Sequence, residues 1–266
     1  MIFSPERRSA LRRALAWSGL LLMAVGLGWL LFFSGPRAPL SEQTQPTANG
    51  PVSLLIIDAG HGGLDSGAMR NGVLEKDLTL DVARRVEGLA RFRGLRTMMT
   101  RPSDISVSLA ARAAAANREN ECVFVSIHFD EGNRAAATGV QTFYATRQRP
   151  KTLVPAWLPF LQQVVPQAAD LESQSLAGFV QEALVERTHA FDRGTHAEQF
   201  FVVANVRHPA VLVEGGFLSN NEDIAKLMTG DYRQELASGI TEGIVRYRGV
   251  ARARADVAAA RDLPAE

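Results

Sequence analysis

Apolar positions along this chain follow two different periods. Short runs of aliphatic and β-branched residues read as strands: Val52–Ile57, Leu95–Met99, Cys122–Ile127, Val140–Tyr144, Phe200–Val203 and Val211–Val213. Between them the spacing becomes helical, first at Leu78, Val82, Val86 and Leu89, then at Leu176, Phe179, Val180, Ala183 and Leu184. Tyr232, Leu236, Ile240 and Ile244 repeat that spacing, and Ser108 is placed to cap a helix over Leu109 to Arg118. Runs that stay apolar without alternating suit a sheet covered on both faces. The pattern therefore predicts an α/β fold: a three-layer sandwich whose central sheet, mostly parallel or mixed, has about six strands flanked by helices. No internal repeat interrupts it.

The ends of the chain read differently. Residues 14–33 carry no charged side chain, and twenty helical residues span roughly 30 Å, the thickness of a bilayer core. Arg7, Arg8, Arg12 and Arg13 precede this run, which keeps residues 1–13 cytoplasmic by the positive-inside rule. The expectation is a signal anchor over 14–34, with a cleaved signal peptide as the alternative; either one exports the remainder of the chain to the periplasmic side. Residues 35–50 are polar and broken by prolines, as a linker is, and 51–250 form the folded domain. Residues 145–171 contain four prolines and read as an irregular insertion with a short helix around Trp157–Val165. The Ala- and Arg-rich tail, 251–266, reads as a fraying helix or as disordered.

Composition narrows the chemistry. With 46% hydrophobic and 21% charged residues the chain can bury a core, and a net charge of +1 offers nothing for bulk capture of nucleic acid. The single cysteine, Cys122, sits in an apolar run and reads as a buried structural thiol, so a cysteine-based metal site and an intrachain disulfide are both excluded. Any metal must be held by His, Asp or Glu.

Three of the strand runs lead into such groups. Leu54–Ile57 continues through Asp58-Ala59-Gly60 to His61, Cys122–Ile127 ends on His128, and Val211–Val213 ends on Glu214. In open α/β sheets the ligand crevice lies beyond the carboxyl ends of the strands, so residues far apart in sequence converge there. Glu75 follows His61 by 14 residues, across a glycine-rich loop that lacks the phosphate-loop pattern and can fold back on itself. Two imidazoles and a carboxylate suit Zn²⁺ with a position left for water, and a further carboxylate such as Glu214 can serve as general base. Taken one at a time, each residue also has a structural explanation; their conjunction is what points to a site. His189, His196 and His208 read as structural or surface residues.

The motifs Asp58-Ala59-Gly60-His61-Gly62-Gly63, Asp65-Ser66-Gly67-Ala68, Glu75-Lys76-Asp77-Leu78, Thr100-Arg101, Leu109 to Arg112, Ala116-Asn117, Ser126-Ile127-His128 and Val213 to Asn220 occur in this order. In them the chain resembles the zinc-dependent N-acetylmuramoyl-L-alanine amidases over essentially residues 52–248. The resemblance implies metal ligands at His61, Glu75 and His128, a catalytic glutamate at Glu214, and zinc as cofactor. It also implies peptidoglycan as substrate, cleaved between the lactyl group of N-acetylmuramic acid and L-alanine, with a protein activator for some members. The family usually continues the second histidine with Ala-Asn, whereas Phe129-Asp130 stand here. Two other functions stay open at this point: a peptidoglycan-binding protein without catalysis, and a zinc peptidase acting on the stem peptide.

Overall fold

The computed structural model describes residues 52–131, 136–146 and 170–261. The expected anchor over 14–34, the linker and the short helix around Trp157–Val165 lie outside the described residues. Among those described, no helix is long and apolar enough to cross a membrane.

The first strand, β1 (Leu54–Ala59), is buried along its whole length. A small hairpin of β2 (Met69–Arg70) and β3 (Val73–Leu74) leads into α1 (Glu75–Phe92), and β4 (Arg96–Met99) follows. Then come α2 (Leu109–Asn117), β5 (Cys122–Asp130), β6 (Val140–Tyr144), α3 (Leu171–Thr188) and β7 (Asp192–Ala197). The last elements are α4 (Phe201–Ala204), β8 (Ala210–Phe217), α5 (Asn221–Leu227) and α6 (Gly230–Arg261). Six strands form one sheet in the order β4-β1-β5-β8-β6-β7. The first four in that order run parallel, β6 is antiparallel to β8, and β7 is parallel to β6. The mixed three-layer sandwich expected from the sequence is the one observed.

Successive side chains on a strand point to opposite faces, and the central strands sort accordingly into two cores. Leu55, Ile57, Val123, Val125, Val211 and Val213 join the helices α1, α3 and α6 in the larger one. Leu54, Ile56, Phe124 and Leu212 meet Ala113 and Ala116 of α2 and Val202 and Val203 of α4 in the smaller. Each such side chain contributes roughly 1.5–3 kcal/mol by leaving water. Cys122 lies in the smaller core, its thiol pushed up to about 12 by burial, as an inert structural cysteine would be.

Helix ends follow local chemistry. Ser108 caps α2 by accepting from the Ala111 amide at 3.2 Å, Asp170 caps α3 through the Ser173 amide, and Asn220 caps α5 through the amides of Glu222 and Asp223. The α3 and α6 helices cross closely because Gly239 and Gly243 present no side chain. A methyl group at Gly243 would sit 2.5 Å from the Val180 Cα, and one at Gly239 2.9 Å from the Leu184 Cα.

Two expectations are corrected. Phe200–Val203 is no strand: Phe201–Ala204 form α4, which drops Val202 and Val203 into the smaller core. The sixth strand is instead β7, Asp-Arg-Gly-Thr-His-Ala, which is almost wholly exposed and carries no apolar alternation. An edge strand of this kind is held by main-chain pairing with β6, and its charges discourage pairing with another chain. The Ala- and Arg-rich tail continues α6 without a break as far as Arg261.

Candidate metal centre

The parallel strands β1, β5 and β8 deliver their carboxyl ends side by side, with His128 in register with Glu214. Beyond β1 the chain turns sharply: His61, Gly62 and Gly63 all have positive φ, at 57°, 126° and 62°. For a histidine this is a sparsely populated conformation that its surroundings must hold in place. Gly60 leaves room at the same point, since a methyl group there would collide with the His128 ring. Gly67 does likewise for the loop's return, where a side chain would strike the Glu75 carboxylate and the His61 ring.

Glu75 is the first residue of α1 and is buried. Its Oε1 lies 3.1 Å from His61 Nε2 and 3.0 Å from His128 Nδ1, and it also accepts from the Phe129 amide at 3.1 Å. Its Oε2 accepts from the Ala68 amide at 2.8 Å. The two imidazoles meet edge to face, with centroids 4.9 Å apart. One ligand atom from each of His61, Glu75 and His128 falls within 4.8 Å of the others, the one such metal-capable cluster among the described residues. Burial alone would raise the Glu75 carboxyl, but hydrogen bonds and charge from His128 and His61 outweigh it and hold the group far below the usual carboxylate range. Burial works against a charged His61 as well, and there Glu75 and Asp65 prevail and raise it.

A shell of polar groups fixes this cluster. His61 Nδ1 lies 2.9 Å from Asp65 Oδ2, an arrangement that orients the ring and directs Nε2 toward Glu75. The buried Arg112 bonds Asp58 at 2.7 Å and the carbonyls of Ala59 and His61 at 2.6 Å each. Arg101, also buried, donates to the carbonyls of Ala59, Gly60 and Lys76. Asp58 accepts in addition from Thr100 and Ser126. Lys76 closes the loop from outside by donating to the Gly63 carbonyl at 2.9 Å and to Asp104 at 2.7 Å.

Glu214 faces the cluster from β8. Its Oε2 is buried and has no hydrogen-bond partner among the described residues. Burial, then repulsion from Glu75 and from Asp130, pushes its carboxyl well above the ordinary range. Phe129 and Asp130, the two departures from the usual family pattern, have distinct places. Phe129 is buried and packs where Gly215 offers no side chain, and Asp130 takes a hydrogen bond from Gln141 Nε2 at 3.2 Å.

The four expected residues thus come together, whereas the other histidines stay away. His189 ends α3 in the left-handed conformation. His196 bonds the Arg193 carbonyl and rests against Phe143. His208 is half-buried, and burial lowers its pKa. The sequence pattern assigns no role to Asp65, Arg101 or Arg112, although all three stand inside the matched motifs. Arg193, at the start of β7, lies in none of them. Its one sequence signal is an Asp-Arg-Gly triplet that opens a polar segment.

A family model described as N-acetylmuramoyl-L-alanine amidase matches residues 55–246. The N-acetylmuramoyl-L-alanine amidase AmiA of Salmonella typhimurium is 27% identical over 260 residues, which cover 85% of this chain and 90% of that protein. Among solved structures, an N-acetylmuramoyl-L-alanine amidase from Clostridium difficile 630 superposes with a TM-score of 0.63 at 30% identity, covering 74% of this chain and 97% of that one. The CwlD amidase of Clostridioides difficile, solved in complex with the GerS lipoprotein, gives 0.62 at 27% identity, covering 74% and 99%.

Proposed function

Because the chain belongs to the N-acetylmuramoyl-L-alanine amidase family, we propose that it hydrolyses the amide between the lactyl group of N-acetylmuramic acid and L-alanine of the peptidoglycan stem peptide. The observation that carries this reading is the convergence of His61, Glu75 and His128, with the buried Glu214 oxygen unpartnered among the described residues and in register with His128. Two imidazoles and one carboxylate fit Zn²⁺, and the mutual separations of 3.0–3.1 Å from Glu75 Oε1 to the two ring nitrogens suit donors that share one small cation. When bound, zinc would polarise the amide carbonyl and acidify water.

The chain's own residues supply the rest. His61, Glu75 and His128 would hold the ion, and Asp65 keeps the His61 ring aligned. Glu214 takes the proton of the attacking water and hands it to the departing alanine nitrogen, because an amide anion is too basic to leave unprotonated. Mass spectrometry of digested sacculi tests the assignment. The wild type with zinc should release peptides that begin with L-alanine, whereas Glu214→Gln should bind zinc and turn over about 10²–10⁴-fold more slowly. Release of fragments cut within the stem peptide would instead favour a peptidase, and equal activity of the two proteins would remove Glu214 from the mechanism.

We propose further that residues 14–34 anchor the chain with the catalytic domain on the periplasmic side, supported by the uncharged run over 14–33 and the four arginines before it. The full chain should then stay with membranes through alkaline carbonate extraction; release into the supernatant would support cleavage of the segment instead. The complex of CwlD with the GerS lipoprotein supports a protein partner for this chain too, and we propose an activator in that place.

A further inference from the structure

Arg193 is the second residue of the edge strand β7, on the same rim of the sheet as the metal cluster. β6 is antiparallel to β8 and pairs Gln141 with Glu214, and β7 runs parallel to β6 with Val140 opposite Asp192. The start of β7 is therefore level with the carboxyl ends of β5 and β8. Two interstrand spacings separate β7 from β8, roughly 10 Å, and the Arg193 side chain reaches back across that gap. Its guanidinium carbon lies 4.9 Å from the centre of the Phe217 ring, three residues beyond Glu214 on β8.

The side chain is held on two sides. Its Nε donates to Gln141 Oε1 at 3.1 Å, and Gln141 in turn donates from Nε2 to Asp130 at 3.2 Å. The backbone beneath it is pinned by Asp192, whose Oδ1 accepts from Gln181 of α3 at 2.6 Å and from the Gly194 amide at 2.8 Å. The two terminal nitrogens, however, have no hydrogen-bond partner among the described residues, and no carboxylate there forms an ion pair with the guanidinium. A planar fork stacked on an aromatic face, tied through Nε and, among the described residues, unpaired along its outer edge, is prepared to take a carboxylate with two parallel hydrogen bonds. Its side-chain freedom is already spent, so little is lost when the anion arrives.

We propose that Arg193 is a substrate-binding residue that takes the free carboxylate of the stem-peptide residue following L-alanine, and so sets a preference for stems whose carboxyl there is not amidated. This rests on the amidase reading above. The register suits it: the start of β7 stands level with Glu214, and an extended residue spans about 3.3–3.6 Å, so a carboxylate one residue past the scissile amide lies toward the side chain that leans over Phe217.

The test uses two N-acetylmuramoyl peptides that differ only in the residue after L-alanine, its α-carboxyl free in one and a carboxamide in the other. Wild-type protein with zinc should favour the free acid by about tenfold or more in kcat/KM, the worth of a hydrogen-bonded charge pair. Arg193→Gln should raise KM for the acid, leave kcat within about threefold, and bring the acid-to-amide ratio close to one; Arg193→Lys should fall between. Thermal unfolding of each variant should match the wild type, since Arg193 is exposed. An unchanged ratio in Arg193→Gln, or a fall in kcat that is equal on both substrates, would overturn the proposal. So would a wild type with no preference between the two. If the wild type cuts neither peptide nor sacculi, the amidase reading itself fails and this inference falls with it.

Discussion

The centre of the sheet and its β6–β7 flank are built by opposite means. In β1, β5 and β8 the residues are buried on both faces, so period-two sorting fills two cores and polar groups occur chiefly at the strand ends. On the flank, β7 is exposed almost throughout and is fixed by main-chain pairing and by contacts from Gln141 and Gln181. The contrast separates two tasks. On the function proposed above, the groups that react are set in a buried frame, and the groups that meet the polymer stand on an exposed rim.

If that division is right, the centre should be the costlier place to disturb. Arg112→Met removes the partner of Asp58, a carboxylate with no exposure at all, together with two donors to the His61 turn. Breaking such a buried pair should cost about 3–5 kcal/mol in urea unfolding, and a loss below about 1 kcal/mol would mean the frame is held by something else. Asp65→Asn should act more mildly. It weakens the hold on the His61 ring, so zinc affinity measured by chelator competition should fall about 10–100-fold with the fold intact. Equal affinity would show that the ring is aligned without Asp65.

The smallest effect lies where the two regions meet, at Asp130. Burial, then the charges of Glu75 and Asp130, raise the Glu214 carboxyl. A general base works deprotonated, so activity should fall as pH drops through its pKa. Asp130→Asn removes one repelling charge and lets Glu214 lose its proton at lower pH. The acidic limb of kcat/KM should therefore move down by less than about one unit relative to the wild type at equal zinc. A limb that moves up would contradict the electrostatic ordering.

The same contrast explains what could be read from the sequence. Buried strands advertise themselves, because a sheet covered on both faces needs unbroken apolar runs, and the residues that end those runs, His61, His128 and Glu214, stand out against them. Glu75 was legible through the glycine loop and through the resemblance. β7 was not, since an exposed edge strand has no apolar face to display and takes its place from pairing with β6. Phe200–Val203 misled for the converse reason: its apolar content serves a helix of four residues, Phe201–Ala204, that plugs the smaller core. Arg101 and Arg112 stood in matched motifs, yet arginine pattern alone does not reveal that the side chain turns inward to bind main-chain carbonyls.

Those two arginines carry one more consequence. Their partners are Asp58, Thr79 and main-chain carbonyls, and none of these contacts uses a side-chain atom of His61, Glu75 or His128. The turn that presents His61 is thus braced independently of any ion. Stripping zinc should silence the protein without unfolding it, and restoring zinc should revive it as fast as ligands exchange. On the zinc reading proposed above, metal supply would work on this chain as a reversible switch, separate from the process that folds it.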